Sequence, residues 1–261
     1  MKRISMLSLA LAAVLLLGGC TNISDRIIVV GGTQQVDEDY EPGVGGDLLI
    51  PDPFGNRDEQ QFVDDYTSYA FSPQQESFIA SCLFMGDSIC SGFGAYGFAQ
   101  SCYAKAGVAA RNILEFTFDY SGYQVGPLTT LVNSGSKNLV FLMGTNDVNM
   151  VSAKEYAEYY DDFLSKVEAS CRDVSIYVVS VPPVTEDSDF CYNYQLDELN
   201  SELKSMIEGS TAIRHYIDAA ALLKDDDGAL KDIYSAGDGV HLSRAAYYAV
   251  LYALCSGAGV Q

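Results

Sequence analysis

Three short stretches of this chain carry side chains that could act together on a carbonyl carbon. Gly86-Asp87-Ser88 closes the apolar run "FIASCLFMG", Phe78 to Gly86, and presents a hydroxyl at the end of an expected strand. Gly144-Thr145-Asn146-Asp147 follows the apolar run in "KNLVFLMG", Lys137 to Gly144, and sets a side-chain amide at the end of a second one. Asp238-Gly239-Val240-His241 precedes the last amphipathic segment. Its three-residue spacing lets a carboxylate hold one imidazole nitrogen while the other accepts a proton from a hydroxyl. A hydroxyl, an imidazole with an orienting carboxylate, and an amide donor for a developing oxyanion are the parts needed for acyl transfer. The chain has two histidines, and of His215 and His241 only the second has a nearby carboxylate in an expected strand-to-helix loop.

A competing pattern overlaps the first stretch. Gly92, Gly94 and Gly97 spell G-x-G-x-x-G. A dinucleotide fingerprint needs its glycines at the strand-to-helix turn itself, and Gly92 comes several residues past the strand end. The glycines are therefore expected to form a compact loop beside Ser88. No G-x-S-x-G surrounds Ser88, Ser134 to Lys137 (S-x-x-K) sits in a polar turn without companions, and "DDDG", Asp225 to Gly228, lacks the remaining ligands of a calcium loop.

From Phe78 onward short apolar runs alternate with longer amphipathic ones. Expected strands are Phe78 to Gly86, Lys137 to Gly144, "VSIYVVSVPP" and "IRHYIDA". Expected helices lie near Ala95 to Tyr103, over "SAKEYAEYYDDFLSKVEASC" with Ser152 and Glu155 at capping-box spacing, over "NYQLDELNSELKSMIEG", and over "SRAAYYAVLYALC". Strands separated by helices predict an α/β fold, a parallel sheet with crossover helices on both faces. Its ligands belong beyond the carboxyl ends of the strands.

Taken in order, Gly86-Asp87-Ser88, Gly144-Thr145-Asn146-Asp147 and Asp238-Gly239-Val240-His241 resemble blocks I, III and V of the SGNH (GDSL) hydrolase family, over roughly residues 80 to 256. The resemblance implies a flavodoxin-like three-layer α/β/α sandwich with a mostly parallel sheet and a serine esterase or acylhydrolase without a cofactor. Ser88 would be the nucleophile, His241 the general base and acid, and Asp238 the orienting carboxylate. The oxyanion hole would use the Ser88 N–H, a block II N–H and the Asn146 side chain. Block II departs from the family's Gly-x-x-Gly: the matching stretch is Gly107 to Ala110. Either Gly107 or Ala110 would supply the N–H, and the Ala110 β-carbon would face the site and tighten or reshape the acyl pocket.

The first residues, "MKRISMLSLALAAVLLLGGC", have a basic start, an apolar run and Leu17-Gly18-Gly19-Cys20. They read as a secretory signal over 1–19, ending in a stretch similar to the lipobox of bacterial lipoproteins, with Cys20 as the lipidated residue. Residues 20–75 read as a lipidated tether, with Ile27 to Val30 and Leu48 to Ile50 as short strands packing on the domain, and residues 76–261 read as the hydrolase domain. These features predict a lipid-anchored protein of the bacterial cell envelope. A net charge of −20 excludes a nucleic-acid partner and leaves membrane attachment to the lipid alone. Setting Cys20 aside from seven cysteines leaves six, enough for up to three disulfides of undetermined connectivity, while no C-x-x-C pair and two distant histidines argue against a metal. The expected substrates are acylated, above all acetylated, glycans, with lipid or thioester substrates behind them, acted on by a monomer. A non-catalytic surface binding protein on the same fold is the alternative from another class.

Overall fold

The computed structural model describes residues 71–210 and 212–261. The expected signal, Cys20, the two short tether strands and most of the tether itself lie outside these residues. The described chain opens with helix α1, Pro73–Ser81, started by a capping box between Ser72 and Gln75 and by Pro73 in the first turn. This corrects two expectations: a helix begins inside the segment read as tether, and Phe78 to Ser81 are helical, so the first strand, β1, is only Cys82–Gly86. An apolar run crosses a helix end here, and apolar content alone does not mark the boundary.

Helix α2, Ser88–Ala95, begins directly after β1, because the Asp87 carboxylate accepts the N–H groups of Ile89 and Cys90 and caps it. Strand β2, Ser101–Ala104, pairs with β1 from Leu83 to Gly86. The helix expected near Ala95 to Tyr103 is therefore an α2 that starts seven residues earlier, followed by a strand. A small hairpin follows, β3 Phe118–Tyr120 and β4 Tyr123–Val125, and then α3, Pro127–Ser134. The remaining elements are β5 Asn138–Leu142, α4 Ala153–Ser170, β6 Ser175–Val179, α5 Asn193–Gly209, β7 Arg214–Ile217, α6 Ala220–Leu223 and α7 Arg244–Gly257. The Ser152–Glu155 capping box forms as its spacing predicts.

The main sheet runs in the order β2-β1-β5-β6-β7, and every pairing is parallel. Alternate residues serve opposite faces. Leu83, Met85, Leu139, Phe141, Ile176 and Val178 pack with Tyr160, Phe163 and Leu203 of α4 and α5. Phe84, Val140, Leu142 and Val179 pack with Phe93 of α2 and with Tyr247, Val250 and Leu254 of α7. Both faces are covered, which is why β1, β5 and β6 are continuous apolar runs without polar alternation. The result is a three-layer α/β/α sandwich in the flavodoxin-like strand order, as expected.

From β1 the chain moves outward to β2, then returns to the other side of β1 as β5. The order reverses between β1 and β5, and such a reversal opens a crevice at the carboxyl ends of the two strands. Gly86 of β1 is in register with Leu142 of β5, and the Asp87 N–H donates to the Leu142 carbonyl at 3.2 Å. The residues that follow each strand, Ser88 on one side and Gly144 to Asp147 on the other, thus meet at the switch point.

Candidate active site

Ser88 is the first residue of α2, half-buried, and its N–H donates to no protein group among the described residues. The His241 Nε2 lies 3.0 Å from the Ser88 Oγ, and the His241 Nδ1 lies 2.6 Å from the Asp238 Oδ2. The other Asp238 oxygen accepts the N–H groups of Val240 and His241, at 3.0 and 2.7 Å. The three-residue loop thus folds back on itself and fixes carboxylate and ring together. Part burial raises the Asp238 carboxyl, but these two N–H groups and the imidazole outweigh it and hold it below its ordinary value. A carboxylate bound at Nδ1 fixes the tautomer in which Nε2 is free to accept the serine proton.

Asn146 lies across the switch point and donates from Nδ2 to the Val108 carbonyl at 2.9 Å, which leaves its second N–H for another acceptor. Its neighbour Asp147 has no role in the sequence reading, yet it ties this part of the site together. The Asp147 side chain is fully buried and accepts the Ala110 N–H at 2.8 Å, the Arg111 N–H at 3.3 Å and the Arg111 guanidinium at 3.0 Å. Arg111 also donates to the Asn146 carbonyl. Burial pushes the Asp147 carboxyl up, and these donors oppose it.

This arrangement corrects the expectation for Ala110. Its N–H is spent on the Oδ2 of a buried carboxylate whose other oxygen Arg111 serves, and its β-carbon packs in the core with Met85 and Val108 instead of facing an acyl pocket. Val108 and Ala109 donate to Lys105 and Asn112. Gly107, exposed and at φ +82°, is then the position of the two proposed whose N–H is not bound to a protein group among the described residues.

His215 stacks on Tyr177 across the β6–β7 pair, ring centroids 5.0 Å apart, and stands apart from Ser88. Gly92 and Gly94 are in α2, not in a loop. A β-carbon on Gly92 would come within 2.0 Å of the Tyr247 hydroxyl, so this glycine serves close helix packing. Ser134 Oγ donates to Leu131, and the Lys137 ammonium donates to Arg172, so the S-x-x-K residues do not converge. Asp225 closes its own turn by accepting from Asp227 and Ala229. The six cysteines after Cys20 are all thiols. Burial pushes Cys82 up to about 12 and Cys191 and Cys255 to about 11, which leaves them poor nucleophiles beside Ser88.

Asp87, directly before Ser88, has a measurable signature of its own. Complete burial raises its carboxyl to about 7, against the N–H groups of Cys90, Ile89 and Gly144. Below the ordinary carboxylate value the group is neutral in both folded and unfolded chains. Between about 4 and 7 only the unfolded chain ionises, so the folded state binds more protons and stability falls as pH rises, by up to about 4 kcal/mol. Asp87→Asn retains a cap but cannot ionise. The melting temperature of Asp87→Asn relative to wild type is expected to climb steadily from pH 4 to pH 7, whereas a flat difference would show that Asp87 does not titrate there.

A flavodoxin-like sandwich with a serine, an imidazole and a carboxylate in line at the switch point defines a serine ester hydrolase. The model of the GDSL-like Lipase/Acylhydrolase family matches residues 84–249, and the chain belongs to that family. No curated protein sequence matches it. Among solved structures it is similar to one described as a candidate platelet activating factor from Streptococcus pneumonia, at 20% identity and a TM-score of 0.54, covering 76% of this chain and 97% of that one. A GDSL-like lipase from Bacteroides thetaiotaomicron matches at 15% identity and a TM-score of 0.51, covering 78% and 96%. An acetylxylan esterase from Geobacillus stearothermophilus, solved as a catalytic mutant, matches at 16% identity and a TM-score of 0.51, covering 69% and 94%. These similarities concern the fold.

Proposed function

We propose that this enzyme removes O-acetyl groups from glycans outside the cytoplasm, with Ser88 as its nucleophile. The observation that carries the reading is the unbroken line from Asp238 through His241 to Ser88, at 2.6 and 3.0 Å. His241 takes the hydroxyl proton at Nε2 as the Ser88 Oγ attacks the ester carbonyl. The carbonyl oxygen becomes an anion held by the N–H groups of Ser88 and Gly107 and by the free N–H of Asn146, at the positive end of α2. Collapse breaks the bond to the alcohol, which leaves with the proton from His241. Water then repeats the sequence on the acyl-serine, giving acetate and the free Ser88 hydroxyl. Asp147 and Arg111 hold the Asn146 turn and the Gly107 to Ala110 segment to one another, so the donors stay aligned without being rearranged during reaction.

The preference for glycans rests on the exported, Cys20-anchored N-terminus read from the sequence and on the acetylxylan esterase that shares the fold. Nitrophenyl esters of increasing chain length and acetylated oligosaccharides test it. Acetyl esters should be cleaved fastest, with kcat/KM falling steadily beyond propionate. A maximum at octanoate or longer would instead make this a lipase-type acylhydrolase.

A further inference from the structure

A cavity of about 460 Å³ is lined mainly by the segment between β6 and α5. The loop from Glu186 to Tyr192 lines it together with Asn149. The loop is joined to the triad: the Thr185 N–H donates to the Gly239 carbonyl at 3.0 Å, and Gly239 stands between Asp238 and His241. Asn149 is three residues past Asn146 and donates to the Phe190 carbonyl at 2.7 Å. The loop that lines the cavity is therefore tied by hydrogen bonds both to the segment that carries the amide donor and to the segment that carries the carboxylate and imidazole. Its lining does not include Ser88.

On its rim Tyr192 and Tyr194 stack on one another, with centroids 5.7 Å apart and planes 14° from parallel. They are 68% and 61% exposed, an unusual exposure for two adjacent large rings. The backbone that carries them is anchored by Asn193 between them, which accepts the Val184 N–H and donates to the Val184 carbonyl, each at 2.9 Å. A fixed aromatic face costs little entropy to use and suits the C–H face of a sugar ring. Glu186, Asp187 and Asp189 line the same cavity and offer acceptors to hydroxyl groups. Three carboxylates do not suit an aliphatic chain, and they repel an anionic ligand.

We infer that this cavity binds the alcohol side of the ester as a neutral or amino-bearing saccharide, stacked on Tyr192 and Tyr194 and hydrogen-bonded by the carboxylates. The inference rests on the esterase reading above and adds where the sugar sits and which charge it carries. The carboxylates of the lining disfavour acidic saccharides.

The test compares wild type with Tyr192→Ala/Tyr194→Ala on an acetylated neutral xylooligosaccharide and on 4-nitrophenyl acetate, with melting temperatures to confirm folding. The double variant should raise KM for the oligosaccharide at least about tenfold more than for nitrophenyl acetate, with kcat little changed, as loss of a stacking anchor does. A second variant, Glu186→Gln/Asp189→Asn, should narrow the wild-type preference for neutral over uronic-acid-containing acetylated oligosaccharides. Equal changes in KM on the two substrates, or no change on either, would overturn the assignment. Wild-type turnover of nitrophenyl acetate with none of any oligosaccharide would overturn it too, while leaving the esterase intact. Turnover of neither would remove the esterase reading itself.

Discussion

Ser88→Ala is expected to lower ester turnover by about 10⁴ to 10⁶, as removal of a triad nucleophile does. Ser88 is the hydroxyl in line with His241, and burial pushes the Cys82 and Cys255 thiols up, to about 12 and about 11. Asn146→Ala is expected to lose less, about 10² to 10³, because the backbone N–H groups continue to share the oxyanion charge. Ser88 sits half-buried on the surface of the crevice, so its variant should keep the wild-type melting temperature.

His241→Ala is expected to cost about as much as Ser88→Ala, and the double variant no more than either alone. The hydroxyl and the imidazole act as one unit, so once the base is lost the nucleophile is of little further use. His215→Ala is the control. That ring stacks on Tyr177 between two strands, so its loss should lower stability modestly and leave turnover near wild type in steady-state assays. Comparable activity loss in two well-folded histidine variants would remove the distinction between them.

The sequence carried some of this arrangement more clearly than the rest. Strands β1, β5 and β6 are legible because a parallel strand covered on both faces must be apolar throughout, and α4 is legible because its capping box is local. Ser88, Asn146, Asp238 and His241 could be singled out because each follows or precedes such an element at the same edge of the sheet. Strand β2 was not legible: Ser101 to Ala104 are all half-buried at the sheet edge, with no apolar run or alternation to mark them. The start of α1 was hidden because Phe78 and Ile79 continue the apolar run of β1 toward the N-terminus.

The fate of Ala110 was not legible for a different reason. Its N–H is claimed by Asp147, a residue 37 positions away whose carboxylate must find donors once the fold buries it. Only the tertiary structure brings those groups together, and no local pattern records it. Arg111 belongs to the same network and escaped notice for the same cause. An Asp directly after the expected amide donor was the one available signal, and alone it reads as a turn residue.

The central claim is that Ser88 is made nucleophilic by the Asp238–His241 pair. Its most direct test is incubation of the folded enzyme with a fluorophosphonate, followed by intact mass and peptide mapping. Wild type should gain one adduct, on Ser88, at a rate that falls steeply in His241→Ala, and Ser88→Ala should gain none. An adduct on any other residue, or equal labelling of wild type and Ser88→Ala, would contradict the account.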